Sequence, residues 1–287
     1  MIAGGLLLLY CLVIFAASLF GGALPTLLRL SHTALQTLMS GVGGFMIGVA
    51  ILHLLPHSHA QLRSIDATAL WMLIGVVAMF FLIRVFHVHQ HAVMEPERHE
   101  HVHHHEHEHH ACTHEHHSHD PCLTDRRFSW LGLALGLALH TLIDGFALAA
   151  VVVAGSSDQP AWDRFMQSVA IFLAVALHKP LDSLSITTTM IAGGWTDRER
   201  RWANVGFALM CPLGALLFYA GSMTMSPTMI GAALGFSAGV FLCVSLADIL
   251  PELSFHSHDR WTLSAALLIG IAAAVAIGFL EPGHGYG

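Results

Sequence analysis

Apolar residues run through this chain in eight long blocks, roughly 5–27, 36–56, 68–86, 128–154, 165–191, 203–221, 228–250 and 261–280. Within each block they are continuous rather than alternating. Each block also approaches the about 20 residues that an α-helix needs to cross a bilayer. Barrel strands would be shorter and would alternate. The pattern predicts an all-α integral membrane protein with eight transmembrane helices. The first block counts as a span and not as a signal peptide, because no Lys or Arg precedes it and it is too long.

The polar breaks between blocks are short except for one. The expected organisation is therefore spans 1–3 in residues 1–86, a loop at 87–127, and spans 4–8 in residues 128–287. A weak internal repeat overlies this. "GFMIGVAILHLLP" (Gly44–Pro56) resembles "GFSAGVFLCVSLADILP" (Gly235–Pro251), with a shared Gly-Phe-x-x-Gly-Val and a closing Leu-Pro. The two segments run in opposite senses through the membrane. That predicts an inverted repeat of spans 1–3 and 6–8 around spans 4 and 5, a design that puts transport sites near the midplane.

Charge sets the orientation. With the N-terminus outside, Arg29, Arg84, Arg98, Arg126, Arg127, Arg198, Arg200, Arg201 and Arg260 face the cytoplasm, and only Arg63 and Arg164 face out. This positive-inside bias predicts both termini outside. The expected location is a cell membrane, the inner membrane of a bacterium. Composition agrees: 55% of the 287 residues are hydrophobic and 11% charged, outside the usual soluble range. Three of the five cysteines, Cys11, Cys211 and Cys243, fall in spans, and Cys112 and Cys122 fall in the cytoplasmic loop, so no disulfide framework is expected.

Chemistry enters with two helices. Span 4 carries His140 and Asp144; span 5 carries His178 and Asp182. Residues four apart share one helix face, about 6 Å apart along the axis. The two spans run antiparallel, so face-to-face packing would set His178 level with Asp144 and His140 level with Asp182. Two imidazoles and two carboxylates would then meet at mid-membrane depth. A central Asp or Lys costs about 2.5 to 3.5 kcal/mol on insertion scales, and such groups mark ion or substrate paths. One divalent cation would neutralise both aspartates and accept both imidazoles. The ligand set favours Zn²⁺, and also suits Fe²⁺, Mn²⁺, Co²⁺, Ni²⁺ or Cd²⁺, over Ca²⁺ or Mg²⁺. Pro180 removes a helix bond to the Ala176 carbonyl and is expected to kink span 5. Lys179, protonated, must pair with an aspartate or act as a fixed positive charge.

The long loop adds a second feature. Fifteen of the 24 histidines lie between His87 and His119. Nothing there can build a core, so the segment is expected to be disordered without metal. Imidazoles with nearby glutamates read as metal capture, by His101, His103, His104, His105, His107, His109, His110 and Cys112.

These features resemble the ZIP (Zrt-, Irt-like) metal transporters. The residues that carry the resemblance are His140-Thr-x-x-Asp144-Gly145 and His178-Lys-x-x-Asp182. The eight spans, the His-rich third loop, "CPLGAL" from Cys211, and the "LLP" and "ILPE" ends of spans 2 and 7 agree with it. The resemblance covers the whole chain. It implies a transporter and not an enzyme, importing divalent metal into the cytoplasm, often as a homodimer. It implies no cofactor beyond the transported metal, with the bilayer and metal ions as partners and no nucleic acid.

The family's first metal position maps onto His140, Asp144, His178 and Asp182. The second lacks its usual ligands, with Thr141, Lys179 and Cys211 at the corresponding places. One metal is therefore expected, with the Lys179 ammonium standing in for the second cation. In such a transporter His53, His57 and His59 would form the entrance, and Asp248, Glu252, His256 and His258 the exit. A cation-efflux transporter is a rival, disfavoured by the seven residues after span 8, too few for a soluble metal domain. An intramembrane zinc hydrolase is another. It needs an open metal position and a general base, whereas ligands strung along both membrane faces favour transport.

Overall fold

The computed structural model describes residues 2–27, 31–87, 123–155, 160–255 and 260–281. Every regular element among them is helical, and eight helical spans are long and apolar enough to cross a membrane. Helix α1 (Ile2–Leu27) forms the first span. The second combines α2 (His32–Val49), a π-helical turn (Ala50–Leu54) and α3 (Leu55–Leu62). Then come α4 (Ile65–His87), α5 (Leu123–Ala154) and α6 (Ala161–Ala192). The sixth span is split into α7 (Asp197–Ala208) and α8 (Met210–Ser222). Helices α9 (Pro227–Phe255) and α10 (Arg260–Gly278) complete the bundle.

Two spans depart from the boundaries the apolar pattern suggests, each for a local reason. Pro56 reads as the end of span 2, yet the helix continues to Leu62. A proline cannot donate to the Leu52 carbonyl, and the wide π turn just before it absorbs that loss, a device often found at functional sites. His57 and His59 are thereby helical. Span 6 starts at Asp197, not near 203, because Thr196 and Glu199 form a reciprocal capping box. Its break at Leu209 sits where Pro212 leaves the Ala208 carbonyl without a helical donor. Helix α6 continues through Pro180.

The helices pack most extensively as four pairs: α1 with α6, α2 with α10, α4 with α9, and α5 with α8. Exchange spans 1 with 6, 2 with 7, 3 with 8 and 4 with 5, and this set of pairs maps onto itself. That is the symmetry an inverted repeat requires. The repeated glycines take part. A Cβ on Gly48 would lie 2.5 Å from the Ala274 Cβ on α10, and one on Gly239 would lie 2.0 Å from the Met72 carbonyl on α4. In lipid there is no hydrophobic drive between helices, so such close backbone approach is what dispersion forces need. Buried hydroxyl pairs add to it: Tyr10 with Ser168 at 3.0 Å and Ser18 with Ser183 at 2.7 Å.

Leu8, Leu12, Phe80, Phe81, Leu268 and Ile269 face outward from α1, α4 and α10, as lipid-facing side chains would. The second, fourth, fifth and seventh spans make the buried centre, around Val49, Leu54, Leu148, Ala174 and Phe241.

Several expected ligands fall elsewhere. His101, His103, His104, His105, His107, His109, His110 and Cys112 lie outside the described residues, as do His256 and His258. Asp248 and Glu252 lie on α9, with side chains outside the described set.

Candidate metal centre

Helices α5 and α6 bring their polar faces together in the middle of the bundle. Gly145 and Gly214 make room for this. A Cβ on Gly145 would lie 2.2 Å from the Cys211 carbonyl, and one on Gly214 would lie 2.2 Å from the Leu142 carbonyl. The α5 backbone therefore sits hard against α8, beside the turn that carries Asp144.

The Asp144 carboxylate is the hub. Its Oδ2 lies 3.4 Å from His140 Nε2, 3.2 Å from His178 Nε2 and 2.6 Å from Lys179 Nζ. His140, Asp144, His178 and Lys179 are all buried. Ligand atoms of His140, Asp144 and His178 all fall within 4.8 Å of one another, close enough for one metal ion. Asp182 stands at the edge. Its Oδ2 is 3.8 Å from His178 Nε2 and 2.8 Å from Lys179 Nζ. Three of the four expected ligands thus converge, and the fourth is drawn to the lysine one turn below it.

Tautomers follow from the partners. His178 Nδ1 lies 2.6 Å from the Ala174 carbonyl. A carbonyl only accepts, so Nδ1 donates to it and Nε2 is the nitrogen turned to the site, facing Asp144 Oδ2. Metal-bound histidines are commonly oriented this way by a backbone carbonyl. His140 is barer: neither ring nitrogen hydrogen-bonds within the described structure, nor does Asp144 Oδ1. Buried polar atoms are rarely left so without reason. Two imidazole nitrogens and a carboxylate facing one point suit Zn²⁺ and its neighbours in the first transition row.

Lys179 is fully engaged. Its ammonium donates to Asp144, to Asp182 and, at 3.0 Å, to Thr141 Oγ1, one acceptor for each of its three protons. The Phe207 ring centroid lies 5.9 Å away, on the site's flank. Cys211 is buried against Gly145 but outside the ligand cluster.

A cavity of about 240 Å³ opens beside His140, His178 and Asp182 and runs along Leu137, Ser185 and Val244. It lies toward the helix ends joined by the arginine-rich segments. On the other side, Val49, Leu148, Ala170, Ile171 and Ala174 are closely buried and apolar. Among the described residues, the centre thus opens to a cavity on one side and meets close-packed apolar side chains on the other.

The histidines on span 2 part company. His59 is exposed. His53 is buried, with Nδ1 3.2 Å from Glu281 Oε1, and His57 Nε2 is 3.7 Å from the same oxygen. Sequence reasoning missed Glu281, which reads as part of a polar tail. Its signal was that it is a carboxylate just past span 8, on the same membrane face as His57 under the expected topology. Burial pushes the Glu281 carboxyl up, but the two imidazoles outweigh this and hold it down at about 2.

Comparison with known proteins agrees with this architecture. The chain is 30% identical over 156 residues to the zinc transporter ZIP9-B of Xenopus laevis. That alignment takes in 52% of this chain and 49% of the relative, so the match spans about half the relative's length. A family model described as ZIP zinc transporter matches residues 5–278, nearly the whole chain. The protein is a multi-pass membrane protein that belongs to the ZIP zinc transporter family.

Proposed function

We propose that this protein imports divalent transition metal, zinc foremost, into the cytoplasm, one ion at a time, through the His140–Asp144–His178 centre. The observation that carries the reading is that cluster: metal-competent atoms within 4.8 Å of one another, in the buried middle of eight spans. Asp182 completes the shell when its carboxylate turns from Lys179 toward the ion. Fe²⁺, Mn²⁺, Co²⁺, Ni²⁺ and Cd²⁺ fit the same donors.

Lys179 sets the stoichiometry. Two aspartates and one divalent ion balance, and the lysine leaves the loaded centre with one positive charge. A second cation would meet a fixed ammonium. Unit charges about 4 Å apart repel by about 4 kcal/mol at an effective dielectric of about 20, and a divalent ion doubles this. In the empty centre the same ammonium compensates the carboxylates, which limits the cost of burying them. Excess positive charge in the loaded state favours release into the cavity, whose walls lead toward the arginine-bearing, cytoplasmic face.

His53, His57 and His59 form the outer approach, and Asp248, Glu252, His256 and His258 the inner exit. The His-rich loop gathers metal on the cytoplasmic side. The protein works in a cell membrane, a bacterial inner membrane, as a homodimer with both termini outside. The test is uptake of Zn²⁺, Fe²⁺ and Mn²⁺ into proteoliposomes, read by a lumenal dye. Zn²⁺ uptake by wild type and none by His178→Ala is the expected result. Equal Zn²⁺ uptake by both would overturn the reading.

A further inference from the structure

We infer that the groove between α1, α6 and α7 binds an anionic phospholipid whose headgroup carries a free hydroxyl, as phosphatidylglycerol does. A cavity of about 510 Å³ opens there, between the last turns of α1, Thr187 on α6 and one face of α7. It shares no lining residue with the cavity beside the metal centre. On α7 the lining positions are Asp197, Arg200, Arg201, Asn204 and Val205. That spacing is one stripe of a helix.

The stripe changes character along its length. Leu19, Ala23 and Val205 give the inner part of the groove apolar walls. The start of α7 gives it charge. Arg200 pairs with the Asp197 carboxylate, and Arg201 Nε donates to the Asp197 carbonyl at 3.2 Å, which ties that side chain to the same turn. Two guanidiniums beside one carboxylate leave a positive charge at the groove.

Two buried polar atoms on this stripe lack partners among the described residues. Asn204 is only 7% exposed. Gly22 makes room for it on α1, where a Cβ would lie 2.0 Å from Asn204 Nδ2. That nitrogen donates to the Leu19 carbonyl at 3.3 Å. A carbonyl only accepts, so the amide's orientation is fixed, and Oδ1 is left without a donor. The Arg200 Nε–H is likewise buried without an acceptor. Such atoms call for an explanation. The groove needs an acceptor for a guanidinium and a donor for an amide oxygen. A phosphodiester supplies the first, in the geometry guanidinium prefers. A headgroup hydroxyl supplies the second.

The surroundings fit a lipid better than a soluble phosphate. The apolar walls lead on from the charged end, as acyl chains lead on from a headgroup. Trp202, next to Arg201, is 68% exposed, and tryptophans gather at headgroup depth. Basic pockets between membrane helices on the cytoplasmic side take anionic headgroups. Placing this groove in the inner leaflet rests on the topology proposed above; the binding itself does not.

The test is native mass spectrometry of the full-length chain in neutral detergent, titrated with phosphatidylglycerol, phosphatidylcholine or phosphatidylmethanol. Phosphatidylcholine has no net charge; phosphatidylmethanol has the charge but no hydroxyl. Wild type should retain phosphatidylglycerol above both. Arg201→Gln, altered on an exposed side chain, should weaken phosphatidylglycerol binding about fivefold, the effect of one basic residue beside anionic lipid, and leave phosphatidylcholine unchanged. Asn204→Leu should erase the preference over phosphatidylmethanol. The wild-type comparison stands on its own if a variant fails to fold. Equal retention of phosphatidylglycerol and either other lipid by wild type, or unchanged binding by folded Arg201→Gln, would overturn the inference. Displacement of the lipid by glycerol phosphate would overturn it too, by marking a site for a soluble phosphate compound.

Discussion

Lys179 Nζ lies 2.6 Å from Asp144 Oδ2, with both side chains out of solvent. A buried pair of this kind is costly to form and costlier to break. Removing one partner leaves an uncompensated buried charge, which typically costs about 3–5 kcal/mol. Lys179→Ala should therefore lower the thermal unfolding midpoint in detergent. Zn²⁺ should raise that midpoint more for the variant than for wild type, because the ion takes over the lost compensation. An unchanged midpoint without metal would show that Lys179 does not hold Asp144.

Alanine at His140, Asp144, His178 or Asp182 should abolish Zn²⁺ uptake while leaving folded protein in the membrane. Each change removes a donor from a shell of four. Folding is read by size-exclusion profile and uptake by a lumenal dye. Wild-type uptake by a folded Asp182→Ala protein would remove Asp182 from the transport shell.

The centre's ingredients are legible in the sequence because charge is so rare in the spans. His140, Asp144, His178, Lys179 and Asp182 stand out against apolar neighbours, and four-residue spacing puts each His–Asp pair on one face. The detail of contact is not legible. Three-residue spacing allows Lys179 to pair with Asp182, but nothing in it says that this pairing would leave only His140, Asp144 and His178 within mutual reach among the described residues. That choice depends on side-chain reach across the α5–α6 contact. Pro56 misled for a similar reason. Proline usually ends a helix, but a π turn ahead of it let span 2 run on to Leu62. Glu281 was missed because its partners, His53 and His57, lie more than two hundred residues away, and only the shared membrane face links them in the sequence.

Packing at the helix crossing should be equally sensitive. A Cβ at Gly145 would lie 2.2 Å from the Cys211 carbonyl, which is backbone and cannot turn aside. Gly145→Val should separate α5 from α8 and destabilise the fold by about 1–3 kcal/mol, the usual range for overpacking. A lower unfolding midpoint and reduced Zn²⁺ uptake are expected. Wild-type stability would mean that the two helices are not in backbone contact.

Deleting residues 99–119 should leave uptake largely intact but reduce the metal bound per chain. The segment is rich in imidazole and poor in apolar residues, so it has ligands to offer and little surface to dock. Elemental analysis and dye uptake on the same preparation separate the two effects. Complete loss of uptake at normal expression would place the loop in the pathway.

The most direct test counts the ions at mid-membrane in crystals of wild type and of Lys179→Glu, soaked in Cd²⁺ and read by anomalous scattering. With the ammonium beside Asp144, wild type should show one ion, bonded to His140, Asp144 and His178, with Asp182 turned in to complete the shell. Lys179→Glu replaces a cation by a carboxylate and should show two ions. Two ions at this centre in wild type, with Lys179 unmodified, would contradict the account.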